Sequence, residues 1–250
     1  MKAMILAAGL GTRLRPLTDD RPKALVEIAG RTLLEITVTR LKSFGVRELI
    51  INAHHFADMV IDYLKANQNF GIRIEISREE VLLDTGGGLK KAAHFFLEDP
   101  RAIDEPFILH NVDVVSTIDL SKMVQFHREH SALATLAVQE RETSRYLLFD
   151  EKQELCGRRA GRTSRAEMAR PCNDPHPLAF CGVHVISPRF LTMMIEEGIF
   201  SIIAPYLRLA AQNEKILAFR ADDYYWQDLG KPENLKQAAQ DAQQGLFALN

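Results

Sequence analysis

The sequence has few cysteines and no long apolar run. Cys156, Cys172 and Cys181 are an odd number of thiols without metal-ligand spacing, so we expect them to be reduced rather than joined in a disulfide framework. No apolar stretch approaches the roughly 20 residues that a membrane-spanning helix requires. The N-terminus does not show the basic, apolar and small-residue succession of a secretory signal. These absences predict a cytoplasmic protein that has no membrane partner.

An excess of charge of one sign is also lacking. The formal net charge is −2, from 31 basic and 33 acidic residues, whereas general nucleic-acid binders carry a strong basic excess. We therefore expect no nucleic-acid partner, and any anion site must be local. Hydrophobic residues make up 46% and charged residues 26% of the chain, which predicts a single globular α/β domain over residues 1–250.

A glycine-rich segment near the start is the most informative feature that the chain does have. Residues 6–18 are LAAGLGTRLRPLT. Gly9 and Gly11 allow backbone N–H groups to approach an anion closely, and Arg13 and the nearby Lys23 add positive charge. This combination predicts a polyphosphate site.

Two common phosphate-binding patterns fit this segment poorly. The dinucleotide motif Gly-x-Gly-x-x-Gly needs a third glycine where Leu14 stands, and Pro16 would break the helix that should begin there. The Walker loop needs four residues between its glycines and a Lys-Ser/Thr pair directly after the second. A dinucleotide-dependent oxidoreductase is therefore only a minor alternative.

Apolar, β-rich runs alternate with helical patterns over residues 1–140, which is typical of a mostly parallel sheet with crossover helices. Thr32 and Glu35 form a capping box at the start of a helix that ends near Gly45. The other elements predicted in this half are strands 2–7, 48–53, 72–77, 106–110 and 132–138 and helices 57–67, 89–96 and 120–129.

The second half of the chain has a less regular pattern. The elements predicted there are strands 146–149, 179–186, 216–220 and 224–227 and helices 190–196, 201–212 and 232–242. Residues 157–177 carry five arginines among glycines and prolines, and this composition predicts a long exposed loop.

The segments that follow strands are informative because ligands of open parallel sheets bind outside the carboxyl ends of the strands. Asp84-Thr85-Gly86-Gly87-Gly88 follows the strand that ends at residue 77. Its glycines would allow backbone groups to pack against a base or sugar, and the following helix N-terminus would favour an anion. A flexible turn is the alternative interpretation.

Two aspartates follow strand-like runs in distant parts of the chain. Asp113 comes just after the strand 106–110, and Asp228 follows the run 224–227. Two such carboxylates can share one Mg²⁺ ion and leave water and phosphate to complete its octahedron. The alternative for Asp113 is that it only caps a turn. The favoured hypothesis is a magnesium site.

These motifs resemble those of the sugar-1-phosphate nucleotidyltransferases, enzymes that join a nucleoside triphosphate to a sugar phosphate and release pyrophosphate. The resemblance lies in residues 6–18 with Pro22-Lys23, in Thr85-Gly86-Gly87, in Asn111-Val112-Asp113 and in Trp226-Gln227-Asp228-Leu229-Gly230. It is greatest to compact members that lack a C-terminal β-helix and use UTP or GTP. It implies a Rossmann-like α/β fold, with a mixed, mostly parallel sheet flanked by helices.

The resemblance also implies roles for individual residues. Arg13 and Lys23 would be catalytic, and Asp113 and Asp228 would bind Mg²⁺. The nucleotide would contact Leu6, Ala7, Ala8, Gly9, Gly11, Thr12, Arg13, Lys23, Thr85, Gly86 and Gly87. The sugar phosphate would contact Asn111, Arg145 and Gly182. Residues 1–140 would form the nucleotide-binding half and residues 141–250 the sugar-phosphate-binding half.

The chain departs from the family pattern at two places. Val112 stands where the family has glycine, and its branched side chain blocks the close backbone approach that glycine permits. The Glu-Lys-Pro segment with which many relatives hold the sugar phosphate is missing, so Arg141, Arg145 or an arginine of residues 158–170 would replace it. Because of Val112, a catalytically silent nucleotide-sugar sensor or regulatory subunit is the alternative to an enzyme.

The histidines carry less information. His54-His55 follows a strand, but a third ligand at zinc-site spacing is missing from the sequence pattern. His127 is predicted to lie on the surface.

Overall fold

A computed structural model describes residues 1–99 and 104–248. Its strands, in chain order, are β1 (Lys2–Leu6), β2 (Glu27–Ile28), β3 (Arg31–Thr32), β4 (Glu48–Ala53), β5 (Arg73–Arg78), β6 (Phe107–Asn111), β7 (Val114–Ser116), β8 (Ala134–Gln139), β9 (Arg145–Phe149), β10 (Leu155–Ala160), β11 (Glu167–Met168), β12 (His176–Ile186), β13 (Ile216–Arg220) and β14 (Trp226–Asp228). Its α-helices are α1 (Leu33–Ser43), α2 (Ala57–Ala66), α3 (Asp84–Lys91), α4 (Ala93–Leu97), α5 (Leu120–Glu129), α6 (Arg189–Thr192), α7 (Ile203–Ala211) and α8 (Pro232–Gln243).

Ten of these strands form one mixed sheet, with the order β11-β10-β9-β12-β6-β1-β4-β5, with β8 beside β12 and with β13 beside β8. The strands β6, β1, β4 and β5 are parallel neighbours, and they all come from the first half of the chain. The long strand β12 pairs antiparallel with β6, β8 and β9. The predicted Rossmann-like fold with a mixed sheet is confirmed, and the described residues contain no β-helix after it.

Hydrophobic side chains fill both faces of the sheet. One cluster contains Leu34 of α1, Val60 of α2 and Met123 of α5. The other contains Phe95 of α4 and Tyr206 of α7. The helices therefore cover both faces, as buried parallel strands require.

Several local signals in the sequence correspond to what the structure shows. The Thr32 side chain accepts a hydrogen bond of 3.0 Å from the Glu35 N–H at the start of α1. Gly45 follows the end of that helix with a φ of 84°, a left-handed conformation that glycine adopts without strain. The predicted bounds of β4, α5 and β13 agree with the structure residue for residue.

Four local predictions are wrong. The helix predicted at 89–96 is divided, because α3 begins at Asp84 and ends at Lys91, and α4 begins at Ala93. Residues 157–177 are not one long loop, because β10 pairs with both β9 and β11 and β12 begins at residue 176. The helix predicted at 190–196 ends at Thr192. His127 is buried, where Thr135 Oγ1 and Ser187 Oγ each lie 3.0 Å from its ring nitrogens. His127 is buried because it lies on the inner face of α5. The prediction of a surface position rested only on its polarity.

Within residues 1–99 and 104–248, no helix is both long enough and apolar enough to cross a membrane.

Candidate functional site

The carboxyl ends of three parallel strands meet below the glycine-rich segment. Leu6, the last residue of β1, lies opposite Asn52 of β4 and Asn111 of β6. The next residue, Ala7, donates its N–H to the Asn52 side-chain oxygen over 2.7 Å. The segment therefore leaves the sheet at the edge where ligands of parallel sheets bind.

The glycine-rich segment folds back on itself after the strand. Gly11 has a φ of 65°, and its carbonyl oxygen accepts a hydrogen bond of 2.9 Å from the Thr18 hydroxyl. Thr12 and Arg13 are exposed at the start of a short 3-10 turn. Leu14 is fully buried, so the residue that replaces the third glycine of the dinucleotide motif anchors this turn in the core.

A cleft of about 370 Å³, here called the first cleft, opens beside this segment. Its lining residues are Leu6, Ala8, Gly9, Lys23, Asn52, Leu82, Asp84, Thr85, Asn111, Val112, Asp113 and Ile199. Seven of the residues predicted to bind ligands are among them. Ala7, Gly11, Thr12, Arg13, Gly86, Gly87, Arg145, Gly182 and Asp228 are not part of this lining.

The two aspartates predicted to bind metal are brought together by the short sheet of β7 and β14. Asp228 lies opposite Val114, the residue after Asp113. The Leu229 N–H donates a hydrogen bond of 2.7 Å to the Asp113 carbonyl oxygen. Residues more than a hundred positions apart therefore lie side by side, and one of them, Asp113, lines the first cleft.

The side chains of Arg13 and Asp228 both lie close to Gly230. The Asp228 carboxylate accepts a hydrogen bond of 2.7 Å from the Gly230 N–H. A Cβ atom on Gly230 would lie 2.5 Å from a guanidinium nitrogen of Arg13 and 2.7 Å from a carboxylate oxygen of Asp228. A larger residue at position 230 would therefore displace the ends of these two side chains.

Lys23 forms an ion pair with Asp113 at the edge of the cleft. Both side chains are largely buried, with exposed fractions of 11% for Lys23 and 17% for Asp113. A partly buried pair is screened less by solvent than a surface pair, so each charge holds the other in place. The cleft thus contains one cation and one carboxylate already in contact.

The glycines of residues 86–88 lie inside α3, not in a loop that precedes a helix, because α3 begins at Asp84. The N–H groups of Gly86 and Gly87 both donate to the Phe200 carbonyl oxygen, at 2.9 and 3.2 Å. These backbone groups are therefore not free to contact a base or sugar in this structure. Thr85 faces the cleft, while its hydroxyl accepts a hydrogen bond from the Ile202 N–H.

Replacing Gly87 by alanine tests this packing. A Cβ atom there would lie 2.6 Å from the Gly198 carbonyl oxygen, a backbone atom that can move only if the chain around it shifts. We expect the free energy of unfolding to fall by about 2 kcal/mol, a typical cost of overpacking that exceeds the gain in helix propensity. Urea unfolding followed by circular dichroism measures the change. Gly9→Ala is the control, because a Cβ at Gly9 has no atom within 4 Å and should cause no loss.

Sequence reasoning missed a buried polar network under the cleft. The Asn52 side-chain amide donates to Glu79 over 2.7 Å, and the other Glu79 carboxylate oxygen accepts from the Leu83 N–H at 2.9 Å. His54 contacts the Glu79 carbonyl oxygen, and the described residues contain no cluster of three metal-binding side chains. A polar residue at the end of a buried strand, as Asn52 is, is the one signal that could have indicated this network.

A second cleft of about 680 Å³ adjoins the first and shares Asp84, Thr85 and Asn111 with it. The arginines in its lining are Arg145, Arg158, Arg159 and Arg165. Arg141 lies elsewhere, with its guanidinium 3.7 Å from the centre of the Trp226 ring. Of the arginines considered as replacements for the family lysine, four therefore reach this cleft.

Gly182 and Val112 shape the surroundings of Asn111. Gly182 has a φ of 73°, and a Cβ atom there would lie 2.8 Å from the Asn111 amide nitrogen. Gly182 therefore lies directly behind the Asn111 side chain. Val112 is only 3% exposed and packs in the hydrophobic cluster on the α1 side, while its N–H donates to the Leu6 carbonyl oxygen.

Comparison with known proteins identifies the family. The sequence profile of the nucleotidyl transferase family matches residues 2–152, and the chain belongs to this family. The expected resemblance to sugar-1-phosphate nucleotidyltransferases is confirmed. Members of the family generally depend on a divalent metal ion.

Individual relatives match nearly the whole chain. The N-acetylmuramate alpha-1-phosphate uridylyltransferase of Caulobacter vibrioides is 35% identical over 92% of this chain and 92% of its own length. The mannose-1-phosphate guanyltransferase of Yarrowia lipolytica is 29% identical, and the match covers 94% of this chain but 62% of that enzyme. A crystal structure of a putative glucose-1-phosphate thymidylyltransferase from Bacillus anthracis superposes with a TM-score of 0.79 at 16% identity, covering 97% of this chain and 95% of that one.

Proposed function

We propose that this protein joins a nucleoside triphosphate to a sugar 1-phosphate and releases pyrophosphate. The observation that carries the proposal is the meeting of Arg13, Lys23, Asp113 and Asp228 around the carboxyl ends of the central parallel strands. Two cations and two carboxylates near a glycine-rich segment suit a polyphosphate and its counter-ion. The family membership and the names of the relatives support the same reaction.

The triphosphate, UTP or GTP, would occupy the first cleft. The proposed nucleotide contacts are Leu6, Ala7, Ala8, Gly9, Gly11, Thr12, Arg13, Lys23, Thr85, Gly86 and Gly87. Gly86 and Gly87 would contact the nucleotide without donating hydrogen bonds to it, because their N–H groups already donate to the Phe200 carbonyl oxygen. The proposal includes a cytoplasmic location, where nucleoside triphosphates are available.

The carboxylates of Asp113 and Asp228 fit a hard divalent cation, because they are oxygen ligands on residues that the pairing of β7 with β14 brings side by side. We propose Mg²⁺ as the ion that these two residues hold. When bound, it would neutralise phosphate charge and orient the phosphate oxygens.

The chain's own residues would position the reactants. A phosphate oxygen of the sugar 1-phosphate attacks the α-phosphorus and forms the new P–O bond, while the bond to the β-phosphate oxygen breaks. Arg13 would grip the phosphates, and Lys23 would neutralise the charge that develops on the leaving pyrophosphate. Asn111, Arg145 and Gly182 would position the sugar phosphate, with Arg145 in the role of the missing family lysine.

A substrate panel tests the proposal. The purified protein, Mg²⁺, each of four nucleoside triphosphates and a set of sugar 1-phosphates are incubated together, and pyrophosphate release is measured. We expect release only when both substrates are present, with UTP or GTP preferred. Triphosphate binding without release for any acceptor would contradict the proposal and support a nucleotide-sugar sensor.

A further inference from the structure

The second cleft is lined by more basic than acidic residues. Four arginines line it, against two acidic residues, Asp84 and Glu167. Arg158 is neutralised by Glu167, whose carboxylate lies 2.7 Å away. Within residues 1–99 and 104–248, Arg145, Arg159 and Arg165 form no ion pair. Three positive charges therefore remain at this cleft without an acidic partner in the described protein.

Arg159 is placed differently from a solvated surface arginine. It lies in β10 opposite Tyr146 of β9, and its guanidinium is 5.8 Å from the centre of the Tyr146 ring. Its Nε atom is buried and has no hydrogen-bond partner in the described residues. Because a buried N–H without a partner costs free energy, an acceptor group bound beside Arg159 would satisfy it.

Arg159 also lies between two cavities. Besides the second cleft, it lines a neighbouring cavity of about 640 Å³ together with Tyr146, Arg141, Arg162, Glu140 and Glu142. The two carboxylates already have other partners, because Glu142 pairs with Arg162 and Glu140 with Arg220. The second cleft reaches the first at Asn111, whereas Arg159 belongs to the side that continues into this outer cavity. A ligand group bound at Arg159 would therefore lie towards the outer cavity, whereas the phosphate is proposed to react beside Asn111.

We propose that the acceptor sugar 1-phosphate carries a second anionic group, a carboxylate or a second phosphate, and that Arg159 binds it with help from Arg165. This inference rests on the proposed function, in which Arg145 already serves the reacting phosphate. Arginine presents several N–H donors in a planar fork that suits both carboxylate and phosphate. A neutral sugar would leave the charges of Arg159 and Arg165 without a partner, and a site built for a polar group discriminates against analogues that lack it.

The test compares matched acceptors with the full-length enzyme. In the glucose and mannose series, the hexose 1-phosphate, the uronic acid 1-phosphate and the hexose 1,6-bisphosphate are supplied with Mg²⁺ and the preferred triphosphate. We expect kcat/KM for one acidic acceptor to exceed that for its neutral counterpart at least about tenfold, as removal of a charged hydrogen bond would predict. The uronic acid and the bisphosphate distinguish carboxylate from phosphate as the second group.

Variants connect the preference to Arg159. Arg159→Gln should reduce the ratio of acidic to neutral kcat/KM by at least about tenfold, mainly through KM, and Arg159→Lys should restore part of it. Arg189→Gln is the control, because Arg189 is an exposed arginine on α6 that pairs with Glu214, and the ratio should not change. Thermal melting shows that each variant is folded.

Each outcome has one meaning. If neutral acceptors react as well as acidic ones, the inference is overturned and the proposed function stands. If an acidic acceptor is preferred but Arg159→Gln keeps the preference, the assignment to Arg159 is overturned. If no acceptor releases pyrophosphate, both the proposed function and this inference are overturned.

Discussion

Replacing Asp113 or Asp228 by asparagine is expected to lower kcat on the order of a thousandfold, which corresponds to about 4 kcal/mol of transition-state stabilisation. Both residues would hold the divalent cation at the phosphates, and an amide oxygen is a much weaker ligand for it than a carboxylate. Either substitution leaves one carboxylate at the site, because the pairing of β7 with β14 places Asp228 opposite the residue that follows Asp113.

Pyrophosphate release at saturating substrates measures this loss, and Mn²⁺ binding followed by electron paramagnetic resonance measures the metal site separately. Asp58→Asn is the matched control, since Asp58 is exposed and pairs with Arg78 at the surface. Asp113→Asn also deprives Lys23 of its partner, so Asp228→Asn, which leaves that ion pair intact, is the decisive variant. Near-normal turnover and Mn²⁺ binding in both variants would refute the metal assignment.

Acidification from pH 7 to pH 4 is expected to lower the free energy of unfolding by several kcal/mol. Burial lowers the pKa of His110 to about 4, of His127 to about 4 and of His184 to about 3. In the unfolded chain these rings titrate near 6.5, so below that pH the unfolded state binds more protons than the folded state. Their neutral form stabilises the fold fully above pH 6.5, and this contribution is lost as the pH falls towards 4.

Urea unfolding at several pH values measures this dependence. Each histidine contributes on the order of 3 kcal/mol between pH 6.5 and its folded pKa, because one pKa unit corresponds to about 1.4 kcal/mol. His184→Gln should remove its share and make the dependence less steep, whereas His130→Asn, a change at an exposed ring, should not alter it. Constant stability from pH 7 to pH 4 would contradict the burial of these side chains.

The regular elements could be predicted because their signals are local. The apolar periodicity of α5 and the capping residue Thr32 depend on neighbours within a few positions of the chain. The wrong predictions concern segments whose structure depends on contacts with residues that are distant in the chain. Gly86 and Gly87 belong to a helix because Phe200 and Gly198 pack against them from more than a hundred residues away. A sequence pattern does not show such contacts.

The candidate site could likewise be predicted from the sequence only in part. Asp113 and the glycine-rich segment were predicted from their positions after strands, and the structure places both at the first cleft. The Lys23–Asp113 ion pair and the approach of Arg13 to Gly230 depend on the path of loops between strands. The roles of these residues with ligands remain predictions.

The fate of a labelled phosphate tests the central claim of attack at the α-phosphorus most directly. One reaction contains triphosphate labelled at the α-phosphorus, a parallel reaction contains triphosphate labelled at the γ-phosphorus, and both contain Mg²⁺ and the best acceptor. The α-label is expected to appear in a nucleotide-sugar and the γ-label in pyrophosphate, in equal amounts. Recovery of the γ-label on the sugar or as free inorganic phosphate would contradict the account.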